Sequence, residues 1–477
     1  MSSIKTLLLA GCLALFALFP AGAQTFHELY GHTYQFGELT SVASTSLPGA
    51  IASGSFNVGG TQGVLLKILP TGKPAWVRAY GPTELSAARE TPAGGFAWIG
   101  TGESVQPQGF TPVVAGVDLM GMVLWSRAIR VALPDGSPAD HAYGRFLEID
   151  PKDGGYWVGG ELWSRTADDP QPWLGKLDSA GNLMWAKTLA VSGNARFFSI
   201  FPAFDGGIIG VGQRWAQDDP GRNHAAMLAI KLGPGGDLVW GSNYRVQNAE
   251  IGEQRLSDLD RDPRYTRAES VVVGTVAAFC KSVPSLPCDP VESVAFVAIL
   301  DETTGKLSQA RGLFSTSRPK TFGETVVMDL PGETTAVGGE IAGNEPGSRQ
   351  GLLALLTPGA SFVRTAMTHG AGRGFDVDVR SLDRWQDATG SGYLFATNES
   401  FAEPRTVPTL LRSLVRTDRD GRSGSCEQCT EVKTFEAWPY DSEVQLELIS
   451  GRAEPFAVEA VPVELVDKPC TEPCSGP

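Results

Sequence analysis

In four copies of a repeating unit the glycine of a hairpin turn is followed, four places on, by a tryptophan. The pairs are Gly72 and Trp76, Gly121 and Trp125, Gly181 and Trp185, and Gly236 and Trp240. Each pair sits in the same longer unit, clearest between Asp153 and Leu189. That stretch reads Asp-Gly-Gly-Tyr-Trp-Val-Gly-Gly, then a polar loop, then Trp-Leu-Gly-Lys-Leu-Asp-Ser-Ala-Gly-Asn-Leu-Met-Trp-Ala-Lys-Thr-Leu. Short aromatic and β-branched runs suit a pleated, part-buried surface. Two such runs joined by a short glycine-containing loop form a hairpin. The glycine four residues before Trp185 is expected at positive φ. Such a sheet cannot bury both faces alone, so its copies must stack on one another. Each tryptophan is then expected to fill the gap between neighbouring sheets, with its N–H on a backbone carbonyl.

Seven copies are readable. The first has runs at 50–54, 63–69 and 75–80, and the second at 94–100 and 113–119 with Trp125. The third is the stretch above. The fourth has Asp205-Gly206-Gly207-Ile208-Ile209-Gly210, then 227–232 and Trp240. Three weaker copies follow, with runs at 271–274 and 295–301, at 335–339 and 351–356, and at 393–397 and 410–416. In the fifth, Gln309 stands where the tryptophan would be. The stretch before each Asp-Gly-Gly turn, such as Phe146-Leu147-Glu148-Ile149, supplies an innermost strand. Seven copies of four strands predict an all-β fold, a seven-bladed β-propeller. The seventh copy lacks an outer strand, and the orphan run Phe26 to Tyr30 is expected to supply it and close the ring, removing an exposed edge.

The predicted organisation is a signal peptide over 1–23, the propeller over 24–425, and a disulfide-rich C-terminal β extension over 426–477. Lys5, the apolar run Leu7 to Phe19 and Ala21-Gly22-Ala23 have signal-peptide anatomy. A competing reading is Leu9-Ala10-Gly11-Cys12, which resembles a bacterial lipoprotein box and would place a lipid anchor on Cys12. Either way the chain is expected to be secreted, or periplasmic in the cell envelope. No later run is apolar enough for a transmembrane segment. The net charge of −14 argues against nucleic acid as a partner. Six further cysteines in an exported chain favour disulfides. Cys280 and Cys288 flank one loop. The pairing among Cys426, Cys429, Cys470 and Cys474 is left open, and these four also have the composition of a zinc site. The C-terminal segment carries strand-like runs at 432–437, 444–449 and 456–466.

The pattern Gly-Gly-Tyr-x-Val-x-Gly, followed by Lys-Leu-Asp-x-x-Gly-Asn-x-x-Trp, resembles the repeat of secreted bacterial β-propeller proteins from about Phe26 to Cys426. The hairpin also looks like the tryptophan-docking repeat of quinoprotein dehydrogenases and of an outer-membrane assembly propeller. Leu300-Asp301-Glu302-Thr303-Thr304-Gly305-Lys306 is its nearest local match. The resemblance implies a fold rather than an activity. The quinoprotein enzymes carry a vicinal cysteine pair, and no two cysteines are adjacent here.

Successive strands alternate in direction, so the short turns share one face of the ring and the long loops between second and third strands share the other. On the long-loop face two loops look alike, Trp163 with Asp168 and Asp169, and Trp215 with Asp218 and Asp219. An aromatic platform with paired carboxylates suits a sugar, a cation or a basic peptide. The plainer reading is that Asp-Asp-Pro only makes the turn. Asp258, Asp260, Asp262 and Glu269 have calcium-loop spacing, but Pro263 replaces the glycine such a loop requires. There is no nucleophile elbow, phosphate loop or His-x-x-x-His. The expectation is an exported, non-catalytic binding or scaffold module without cofactor or metal, for an unknown protein or carbohydrate partner. The alternatives are a hydrolase or lyase acting on polysaccharide or peptide in the central channel, and a lipidated envelope-assembly propeller.

Overall fold

The computed structural model describes strands and connections between Phe26 and Pro469. The first 25 residues, the last eight and several internal connections, among them 164–169, 278–292 and 402–409, lie outside the described residues. The described chain forms seven antiparallel sheets set in a ring, and contains no helix. The first blade takes strands Gly37–Ser44, Ala50–Asn57, Thr61–Ile68 and Pro74–Gly81 from the centre outward. The second to sixth blades begin with the innermost strands Thr83–Glu90, His141–Ile149, Asn194–Pro202, Gln254–Asp260 and Lys320–Asp329. The seventh comprises Phe375–Asp387, Gly390–Phe401 and Leu410–Arg416, and its fourth strand is Phe26–Gly31. Phe26 pairs with Arg416 and Tyr30 with Arg412, so the N-terminal run closes the ring as expected.

The strand sequences follow from this stacking. Second and third strands are covered on both faces by neighbouring blades, so they read as unbroken apolar runs; Thr334–Ala342 is buried at every position. Innermost strands face the channel on one side, and His141–Ile149 accordingly alternates. The core is divided into seven apolar clusters, one at each junction between blades. The cluster joining the seventh blade to the first contains Leu39, Val42 and Leu66 with Trp385, Leu394 and Leu414. Ring closure is therefore a packed core as well as a strand pairing.

The glycine–tryptophan spacing is an inter-blade latch. Gly72, Gly121, Gly181 and Gly236 all adopt φ between 78° and 86°. Trp76 donates its Nε1–H to the Leu119 carbonyl at 2.9 Å, Trp185 to Pro234 at 3.0 Å and Trp240 to Glu302 at 2.9 Å, each in the following blade. The indole also lies on the next blade's turn glycine: a Cβ at Gly181 would stand 2.6 Å from the Trp125 ring. The turn glycine thus serves twice, for its φ and for the tryptophan seated on it.

The C-terminal segment, expected as a β extension, is distributed around the ring. It forms seven short strands, and each becomes the fifth, outermost strand of a different blade. Gln428–Cys429 joins the sixth blade, Lys433–Glu436 the fifth, Pro439–Glu443 the fourth and Leu446–Ser450 the third. Arg452–Pro455 then joins the second, Glu459–Pro462 the first and Val466–Pro469 the seventh. The segment encircles the ring against the order of the blades. The physical reason is edge protection. An outer strand leaves one row of N–H and C=O groups unpaired, and a strand of two to five residues covers much of that row.

Candidate functional site

One irregularity repeats in all seven innermost strands. Each has a β-bulge at the equivalent place, leaving one residue without a partner on the second strand. The residues are Thr40, Ser86, Arg145, Phe198, Ser257, Glu324 and Arg380. A bulge turns its extra side chain out of the regular alternation, and bulges are frequent beside functional sites. Five of the seven, Thr40, Ser86, Arg145, Phe198 and Arg380, line a single cavity of about 500 Å³ at the channel mouth.

A glycine on the second strand makes room for six of the seven bulges. Leu85 pairs with Gly100, Gly144 with Gly160 and Phe197 with Gly212, and Gly54, Gly274 and Gly339 hold the same place in their blades. A Cβ at any of these six would fall on the carbonyl oxygen of the residue two before the bulge. Only in the seventh blade is the place filled, by buried Thr397. The last glycine of the Gly-Gly-Tyr-x-Val-x-Gly pattern, Gly160, therefore pairs with the residue just before the bulge.

The mouth opens on the long-loop face, where innermost strands begin and second strands end. Trp163, predicted from the sequence, lines it together with Tyr143, Glu161, Arg196 and Glu38. Trp163 donates its Nε1–H to Glu161 Oε2 at 3.2 Å. Trp215 stacks behind, its ring 4.8 Å from the Arg196 guanidinium, which also lies 4.9 Å from Phe198. Asp218 and Asp219 end the strand Ile208–Asp219, of which only the backbone is described there; Asp168 and Asp169 lie outside the described residues. The structure thus brings the two tryptophans towards one mouth.

The charges around the mouth are unevenly satisfied. Around the mouth Arg255 pairs with Glu324, Arg380 with Asp378 at 2.5 Å, and Arg349 with Glu340 at 3.0 Å. Burial, with Asp378 and Glu324 close by, pushes Glu340 well above the usual carboxylate range. Burial also raises Glu324, against the pull of Arg255. Arg145 instead lies 5.0 Å over the Tyr143 ring. Neither Arg145 nor Arg196 has an acidic partner among the described residues, and Arg196 Nε is buried without a hydrogen-bond partner.

Further along the same strands the channel carries a second charged layer. Arg89 meets Glu148 with two hydrogen bonds, at 2.5 and 3.1 Å. Asp258 Oδ2 accepts from Thr325 Oγ1 at 2.8 Å and the Val326 N–H at 3.0 Å, in the next blade. Asp260 accepts from the Met328 N–H at 2.8 Å, and Asp262 from Arg384 at 2.9 Å. Asp383 receives Ser44 N–H and Oγ–H at 2.6 and 2.9 Å. Burial raises Glu148 and Asp258 and carries Asp260 up to about 6, with Arg384 opposing. The Asp258–Asp262 run with calcium-loop spacing is thus spread along a strand end and used between blades. Among the described residues no group of three His, Cys, Asp or Glu is placed to hold a metal ion. Of the cysteines, the backbone of Cys429 is described and the rest, Cys12 included, lie outside the described residues.

Arg145, Arg196 and Arg380 were not marked by sequence reasoning. The available signal was the second-strand glycine, which identifies the bulge and hence the channel residue across from it.

No protein-family model matches the chain, and no curated protein matches it. Among solved structures the chain is similar to a protein of unknown function from Dyadobacter fermentans, at a TM-score of 0.39 and 8% identity over 83% of this chain and 100% of that one.

Proposed function

We propose that this chain is an exported, non-catalytic β-propeller with tryptophan-docking-like repeats. It acts as a binding or scaffold module and receives its ligand at the channel mouth of the long-loop face. The observation that carries the reading is the set of seven equivalent bulges, five of which turn their side chains into one cavity. About 500 Å³ is within the range of small-ligand pockets, roughly 300–1,000 Å³. The distortion recurs in every blade, and bulges of this kind are over-represented beside functional sites.

The test is a thermal-shift screen of oligosaccharides and short peptides against the mature chain and a Ser86→Trp variant. Ser86 lines the cavity, and an indole there fills it. Ligands that stabilise the parent are expected to lose their effect on the variant. If every stabilising ligand acts equally on both, the mouth is not the site.

A second reading, a hydrolase or lyase working in the channel, draws on the inward carboxylates Glu148, Asp258 and Asp383, whose charges all act on Arg89. Asp260, near 6, has the proton affinity of a general acid at neutral pH. Against it, each of these carboxylates already accepts hydrogen bonds from the protein. Asp260→Asn with unchanged turnover of any substrate found would remove this reading.

A further inference from the structure

The walls of the mouth narrow the chemistry of what it takes. Arg380 in the cavity wall, and Arg255 and Arg349 beyond it, are each held by a carboxylate. Arg145 and Arg196, from adjacent blades and both in the cavity wall, rest on aromatic rings and make no ion pair with a described acid; Arg255 shares the Phe198 ring with Arg196. A guanidinium stacked on a ring keeps its in-plane N–H groups free, and these match the oxygens of a carboxylate or sulfate. Two such groups in the wall of one cavity, neither in an ion pair with a described acid, form a seat for an anion.

A bare anion is a poor occupant, because Glu38 and Glu161 line the same cavity. Those carboxylates call for hydrogen-bond donors on the ligand. Trp163, its N–H already given to Glu161, offers a ring face for stacking. A ligand with an acidic group, several hydroxyls and a ring face meets all three demands. Building on the mouth as a ligand site, we propose that it binds an acidic saccharide, with the anionic group on Arg145 and Arg196, hydroxyls on Glu38 and Glu161, and a sugar face against Trp163. The cavity holds a mono- or disaccharide unit, so a longer chain would enter by one end.

The experiment is titration calorimetry of the mature chain with digalacturonic acid, a sulfated disaccharide, the uncharged galactose disaccharide and free sulfate, at low and moderate salt. At least one acidic sugar is expected to bind, with the neutral sugar at least tenfold weaker. Arg145→Gln is expected to weaken the acidic sugar by about tenfold to a hundredfold, the range for a charge-assisted hydrogen bond. Arg196→Gln should do the same, with Arg145→Gln the safer variant because its ring contact is single. Whether the uronate, the sulfated sugar or both bind identifies the anion. The inference is overturned if neither acidic sugar binds, if the neutral sugar or free sulfate binds as tightly, or if Arg145→Gln leaves acidic binding unchanged. Neutral-sugar binding that Ser86→Trp abolishes would overturn this inference and leave the mouth as a binding site. Acidic-sugar binding indifferent to Ser86→Trp would overturn both.

Discussion

Gly100→Ala isolates the role of the second-strand glycine. The added Cβ would lie 3.0 Å from the Glu84 carbonyl carbon and 3.2 Å from Leu85 Cα, and closer still to the Glu84 oxygen. All three neighbours are backbone, so no side chain can swing away. The bulged strand must retreat, loosening a ladder hydrogen bond worth about 1 kcal/mol and adding overpacking strain of about 1–3 kcal/mol. The expected loss is about 3 kcal/mol. Gly94→Ala is the control: its φ is +82° but nothing stands within 4 Å of the new Cβ, so only backbone strain of about 1–2 kcal/mol applies. With an unfolding entropy of about 2.1 cal/mol/K per residue over roughly 440 residues, the melting temperature should fall by about 3 °C for Gly100→Ala and 1–2 °C for Gly94→Ala. Differential scanning calorimetry, supported by urea midpoints, reads both. If Gly100→Ala melts with the parent, or Gly94→Ala is the worse of the two, the close-approach argument fails.

Trp185→Ala should cost about 2–3 kcal/mol, from the lost indole contact with Gly236 and the 3.0 Å bond to Pro234. Gln309→Ala, four residues after Gly305 in the fifth blade but exposed and in a β-bulge at φ 50°, should stay within about 0.5 kcal/mol; equal effects in urea unfolding would deny the latch. Asp260 has a folded pKa of about 6, above its unfolded value, so its ionisation cost is absent below about pH 4, grows as pH rises to 6 and is complete above. Asp260→Asn should therefore gain on the parent by up to about 3 kcal/mol between pH 4 and 6 and no further beyond; a difference constant with pH refutes the shift. Leu29→Pro sits in a strand paired on both sides, with Ser413 and with Lys468. It should cost about 3 kcal/mol or more and expose the first and seventh blades to proteolysis; an unchanged digestion pattern would count against closure by this strand.

The repeat count, the closing strand, the turn glycines and the tryptophan hydrogen bonds were legible because each rests on local spacing. Gly181 and Trp185 are neighbours in sequence and act through one hairpin. The outer strands were not legible as such. Runs at 432–437 and 444–449 read as strands, but nothing in a stretch as short as Lys433–Glu436 names Leu307–Phe314 as its partner, more than a hundred residues earlier. Trp163 was legible as a lone aromatic beside a polar loop. Arg145 and Arg196 were not, because the residues that share their cavity, Glu38 and Arg380 among them, meet only once the ring has closed.

The reversed path of the C-terminal segment sets the timing of assembly. A chain that emerges N-terminus first can complete the four inner strands of six blades while every perimeter edge is still bare. Covering starts at the sixth blade and ends at the seventh, with Val466–Pro469 laid beside Phe26–Gly31. The earliest and latest parts of the folded chain thus meet side by side. Until the tail has docked, the outer edges of the blades stay unpaired, and a premature stop or trimming by a carboxypeptidase would leave them so.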